Sequence, residues 1–118
     1  MLIPRVLLPR IVRENVTLGV SGVYMLGDNE HGFIAKYIGR SDNCLQTRLV
    51  THNYLYKYDY FVFEYANSTD EAYRLECQLW HSISRCTLSN MIHPAAPRNR
   101  YQECPYCHFA RHVIKYFA

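Results

Sequence analysis

The 118-residue chain has little excess of charge. Thirteen Lys and Arg against ten Asp and Glu leave a formal net charge of +3, which permits an acidic partner such as nucleic acid without demanding one. No run of basic residues marks a separate nucleic-acid-binding tail or a recognition helix. Long hydrophobic runs are also missing. Within Met1 to Val12 the longest is Val6-Leu7-Leu8, too short for a signal peptide and far below the ~20 residues that span a bilayer. The expectation is a cytoplasmic protein with no membrane partner. A disulfide framework is absent too. The five cysteines, at 44, 77, 86, 104 and 107, are odd in number, and Cys104 and Cys107 form a Cys-x-x-Cys pair followed by histidines, a pattern of metal or redox chemistry rather than of secreted cross-links. There is no internal repeat and no low-complexity segment.

What is present is a globular composition, with 49% hydrophobic and 19% charged residues, enough for one modest core but not two. A single domain is expected over 1–118, with an N-terminal arm (1–20), a central core (21–84) and a C-terminal extension (85–118). Eleven tyrosines suit surfaces that are apolar in body and polar at the tip.

Along the chain, Ser21 to Leu26 alternates and is rich in strand formers, and the turn cluster Gly27-Asp28-Asn29 follows. Phe33 to Gly39 resumes strand character, so an antiparallel pair is predicted. Ser41-Asp42-Asn43 offers an N-cap, with Leu45, Leu49 and His52 at helical spacing. Tyr58 to Tyr65 reads as a third strand. Ser68-Thr-Asp-Glu71 is a capping box opening a helix to about Ser84, with Ala72, Leu75, Glu76, Leu79 and Ile83 on one face. The arm, Met1 to Val12, is read as leading into the domain and able to add a strand. Asn90 to Arg100, with Pro94 and Pro97, is an irregular crossing, and Phe109 to Phe117 is predicted to be helical.

Two charges stand where the pattern asks for apolar residues. Arg48 falls on the Leu45, Leu49 and His52 stripe, and Glu76 lies between Leu75 and Leu79. An unpaired buried charge costs several kcal/mol, so each needs a partner. Arg48 and Glu76 either pair with each other inside the core, or both line the floor of a cleft, Glu76 holding a divalent cation and Arg48 facing a phosphate. One carboxylate can suffice for Mg²⁺, which keeps several waters. Tyr24 shares a strand face with Gly22 and Leu26, and Tyr37 with Ala35 and Gly39. If the strands pair, both phenols can project to one side.

Gly22-Val23-Tyr24, then Tyr37-Ile38-Gly39, then Arg48 and Glu76 on successive helices, together resemble the GIY-YIG endonuclease superfamily over about Ser21 to Ile83. Val23 departs from the first tripeptide, where the family has Ile. The resemblance implies an α+β fold, a small three-stranded antiparallel sheet flanked by helices, and metal-dependent hydrolysis of DNA phosphodiesters. It implies Tyr37 as general base or water-orienting group, Tyr24 hydrogen-bonding within the site, Arg48 stabilising phosphate charge, and Glu76 binding Mg²⁺ or Mn²⁺. Arg40 and His52 match positions where some members carry a basic residue and a histidine, and Asn90 matches more loosely a polar residue after the Glu helix. A tyrosine base, with a free pKa near ~10, would need neighbouring cations to lower it.

Cys104-Pro-Tyr-Cys107 has the form of a zinc knuckle, half of a tetrahedral site. The other two ligands come from among His81, Cys86, His93, His108 and His112, with His81 and His93 preferred. A redox pair or two buried thiols are the alternatives. Such zinc would be structural and would staple a small domain. Three functions are therefore carried forward: a DNA endonuclease, alone or with a DNA-targeting partner protein; a nucleic-acid-binding module that does not cut; and a zinc-stapled protein-interaction domain.

Overall fold

The computed structural model describes residues 3–83, 88, 93–97 and 104–106. Among these, a four-stranded antiparallel sheet in the order β1-β4-β2-β3 is formed by β1 (Arg5–Val6), β2 (Gly22–Asp28), β3 (Ile34–Ser41) and β4 (Tyr60–Tyr65). The helices are α1 (Pro9–Asn15), α2 (Leu45–Val50) and α3 (Thr69–Ser82). The fold is α+β, as expected, but the sheet has one strand more than expected. The arm supplies it, pairing Arg5 with Phe61 and Val6 with Tyr60 and so covering an edge of β4 that would otherwise offer unpaired backbone groups.

The arm also contains α1, which the sequence reading did not anticipate. Its alternating Leu, Ile and Val resemble a strand, yet Pro9 occupies a first-turn position, where its missing N–H costs nothing. Leu7, Val12 and Val16 are almost fully buried and join Tyr24, Leu26, Leu45, Leu49 and Phe61 in one core cluster. Met25, Ala35, Ile38, Val62, Trp80 and Leu88 form a second. Side chains alternate across a strand, so α1 and α2 cover one face of the sheet and α3 the other. Each fully buried Leu or Phe contributes about 1.5–3 kcal/mol. The central strand β2 has both faces covered and is buried from Gly22 to Gly27.

The Leu26/Gly27 step carries an irregularity of register, Leu26 facing Tyr37 while Gly27 faces Ala35. The extra residue, Lys36, reverses the alternation. Ala35 therefore packs in the second cluster and Tyr37 against the first, whereas a regular strand would put them on one face, as the sequence alone suggests. A side chain at Gly27 would run into the Ile34 carbonyl.

The Ser68 half of the capping box is present, and the Glu71 carboxylate reaches one residue beyond the cap. The Glu71 N–H donates to Ser68 Oγ at 3.1 Å, while the Glu71 carboxylate accepts from the Asn67 N–H at 3.3 Å. The buried face of α3 is Ala72, Tyr73, Glu76, Cys77 and Trp80. It is turned from the expected face, because the helix packs both on the sheet and on residues near Cys104. No helix among the described residues is long and apolar enough to cross a membrane.

Candidate functional site

The edge strand β3 organises the site. Tyr37 and Gly39 lie on the face shared with Tyr24 and α2, while Arg40 lies on the face shared with α3. A cavity of about 250 Å³ wraps this edge, lined by Tyr24, Tyr37, Gly39, Arg40, Asp42, Arg48, Glu76 and Ala95. Five of the seven candidate polar residues thus converge on one cavity. His52 packs behind it, and Asn90 lies outside the described residues.

Gly39 makes the convergence possible. A Cβ there would collide with the Tyr24 ring and hydroxyl, so only glycine lets the phenol cross the strand to the sheet edge. Gly22 has a similar reason: a Cβ would meet the Glu64 carbonyl and come within 3.0 Å of Leu45. The two tyrosine rings are nearly parallel, with centroids 6.2 Å apart.

Glu76 is 8% exposed, and its partner is Arg40 rather than Arg48. Arg40 Nη1 donates to Glu76 Oε1 at 2.6 Å, and Arg40 Nε donates to Asp42 Oδ1 at 2.8 Å. The guanidinium also lies over the Tyr73 ring, 5.2 Å from its centroid. Burial raises the Glu76 carboxyl, and the hydrogen bond and charge of Arg40 oppose the rise. Arg48 is exposed rather than buried. Three helical steps place it about 60° round the axis from Leu45, at the rim, and its guanidinium reaches towards both phenols. The Tyr24 oxygen is buried and completes no hydrogen bond of good geometry among the described residues. Burial pushes its pKa upward against the pull of Arg48. Tyr24 is therefore a protonated phenol, a donor in waiting and not a base.

His52 is 5% exposed, two residues past α2. Its Nδ1 accepts from the Tyr54 N–H at 3.0 Å, which puts the ring proton on Nε2. The ring stands nearly perpendicular to Tyr24 and Tyr37, with centroids at 5.4 and 4.9 Å. Burial, then the charge of Arg48, lowers its pKa to about 4, so it is neutral at pH 7 and positions the two phenols. Because the folded pKa lies below the ordinary value of 6.5, the unfolded chain binds the proton more readily. Stability contributed here is complete above pH 6.5 and is lost as pH falls towards 4. Urea unfolding of wild type should lose roughly 1–3 kcal/mol more over that window than His52→Gln. Equal losses in the two proteins would remove this role for His52.

A second cluster lies further round α3. The ligand atoms of Cys77, His93 and Cys104 all lie within 4.8 Å of one another, a group that could hold a metal ion such as zinc. His81 Nε2 is 3.6 Å from Cys104 Sγ. Of the expected zinc ligands, His93 and Cys104 belong to this group and His81 meets it at Cys104, while Cys107 lies outside the described residues, as do Cys86, His108 and His112. Cys77 was missed. Its signal was the four-residue spacing to His81, which stacks both on one helix face. Burial first, then the hydrogen bond with Cys104, pushes the Cys77 thiol up to about 12. Asp42 was also missed as a site residue, since Ser41-Asp42-Asn43 reads as a cap. In fact Ser41 Oγ accepts from the Cys44 N–H, and Asp42 holds Arg40.

Comparison of the chain with protein-family models, with curated proteins and with solved structures gives no match.

Proposed function

We propose that the chain is a metal-dependent DNA endonuclease of the GIY-YIG type. The observation that supports this most is the convergence of Tyr24, Tyr37, Arg40, Arg48 and Glu76, from two strands and two helices, on one cavity at the sheet edge. Pure packing has no use for so many polar groups around a void.

The residues fit a Mg²⁺ or Mn²⁺ ion. Glu76 spends one carboxylate oxygen on Arg40, yet a carboxylate offers about four acceptor sites, and Asp42 is a second carboxylate on the same cavity. Glu76 would hold the ion, with Asp42 nearby. When bound, it supplies charge stabilisation and a lowered pKa for coordinated water. The chain's own groups supply the rest. Arg48, at the rim, binds a phosphate oxygen and stabilises charge building there. Tyr24, kept protonated by burial, donates to a second oxygen. Tyr37 accepts or relays the proton of the attacking water. Arg40 holds Glu76 and Asp42 in place, which makes it a positioning residue. With a net charge of +3, the protein acts on DNA alone or beside a DNA-targeting partner.

A second reading draws on the Arg40–Glu76 pair, which already gives Glu76 a structural role: a nucleic-acid-binding module that does not cut. Incubation with supercoiled plasmid and branched DNA in Mg²⁺ or Mn²⁺ separates the two. The nuclease reading expects cation-dependent nicking that Tyr37→Phe slows about 10²–10⁴-fold. Binding without cutting, equal in wild type and Tyr37→Phe, favours the module.

A further inference from the structure

We propose that Cys77, His93 and Cys104 are ligands of a structural zinc ion, with His81 as the fourth, and that this ion ties the segment carrying Ala95, a lining residue of the cavity, to α3. Three independent features carry the assignment. First, one nitrogen and two sulfurs lie within 4.8 Å of one another, two of them on residues that are almost fully buried. Zn–S near 2.3 Å and Zn–N near 2.0–2.1 Å in tetrahedral array imply S···N edges of about 3.5 Å. The 3.6 Å between Cys104 Sγ and His81 Nε2 is that edge length. Second, His93 Nδ1 is 2.7 Å from the Pro94 carbonyl oxygen. A carbonyl only accepts, so Nδ1 carries the proton and Nε2 keeps its lone pair. This is the outer-shell bond by which metal-binding histidines are oriented. Third, the ligands come from a helix and two separate later segments, so an ion here staples 93–97 and 104–106 to α3. The rings of Trp80, His81 and His93, mutually 5.1–5.3 Å apart, wall the cluster.

The staple reaches the cavity by two short covalent paths. Cys77 follows Glu76 directly on α3, and Ala95, which lines the cavity, is two residues beyond His93. The metal site itself does not depend on the nuclease reading. Four protein ligands leave no open position for water, so the ion is structural.

The test uses the full chain. Elemental analysis of the purified protein should give one zinc per chain, and X-ray absorption should show mixed sulfur and nitrogen ligation. After replacement by Co²⁺, thiolate charge-transfer and tetrahedral d–d bands should appear, with the d–d bands altered by His81→Ala. Cys77→Ser should weaken zinc retention by more than about 100-fold, beyond the effect of losing an outer-shell partner. Chelation of wild type should lower its melting temperature by at least about 10 °C. Since Cys77→Ser could fail to fold, the wild-type spectra decide. Absence of zinc with no Co²⁺ bands, or ligation without sulfur, overturns the site. Zinc retained at full affinity by folded Cys77→Ser removes Cys77 from it, and unchanged bands in His81→Ala remove His81.

Discussion

Glu76→Ala is expected to destabilise the domain by about 3 kcal/mol, the lower end of the cost of breaking a buried ion pair. Arg40 would be left with its side chain only 12% exposed and with Asp42 as its one remaining carboxylate among the described residues, which is why the lower end applies. Against a total stability of ~5–15 kcal/mol for a domain, that is a large fraction. Denaturant unfolding reads it directly. Pairing it with Arg40→Met gives a double-mutant cycle. Removing both charges should recover much of the loss, because a buried pair replaced by apolar groups is often neutral. A cost below about 0.5 kcal/mol for Glu76→Ala alone would mean that the pair contributes no more than an exposed surface pair.

Gly39→Ala carries the second large effect. The added Cβ collides with the Tyr24 ring and hydroxyl, and Tyr24 is 1% exposed inside the first core cluster. Neither can yield cheaply, so overpacking should cost about 1–3 kcal/mol and swing the phenol away from the cavity. Tyr24→Ala creates space at the point of collision. The Gly39→Ala cost should therefore nearly vanish in a Tyr24→Ala background, a coupling of at least about 1 kcal/mol. Additive costs would show that Gly39 is glycine for another reason. Loss of any DNA cleavage should accompany Gly39→Ala in the Tyr24 protein, because the donor would be displaced.

Local signals made much of this fold legible. The three core strands, the Ser68 cap and the helix after it follow from alternation and cap chemistry, which depend on neighbours in sequence. What could not be read depends on distant partners. The arm's alternation suggested strand alone, but Pro9 starts a helix because Leu7, Val12 and Val16 find a core to enter. The reversal of Ala35 and Tyr37 arises from the extra residue, Lys36, in the pairing of β3 with β2, which the alternation of β3 by itself does not announce. For the site, the order of tyrosines, Arg48 and Glu76 drew attention to residues that line one cavity. Arg40 as the partner of Glu76 was not legible, because a helix wheel shows which charge needs a partner and not which partner the sheet edge supplies. Arg40 faces α3 only once β3 is placed at the edge with the register it has. Cys77 escaped notice for a related reason. Its ligand role requires segments near His93 and Cys104 to fold back on α3, a contact no local pattern encodes.

The central claim is that the cavity at the β3 edge hydrolyses DNA phosphodiesters, with Glu76 as the carboxylate that holds a divalent cation. Glu76→Gln tests it most directly, because the amide keeps the size and a carbonyl acceptor for Arg40 while losing the charge a cation needs. The measurement is single-turnover cleavage of plasmid and branched DNA in Mg²⁺ or Mn²⁺, beside circular dichroism to confirm the fold. Cation-dependent cleavage by wild type, with Glu76→Gln folded but slower by at least about 10²-fold, is the predicted result. Wild-type protein that binds DNA yet leaves every substrate intact in both cations, or folded Glu76→Gln that cleaves at the wild-type rate, would contradict it.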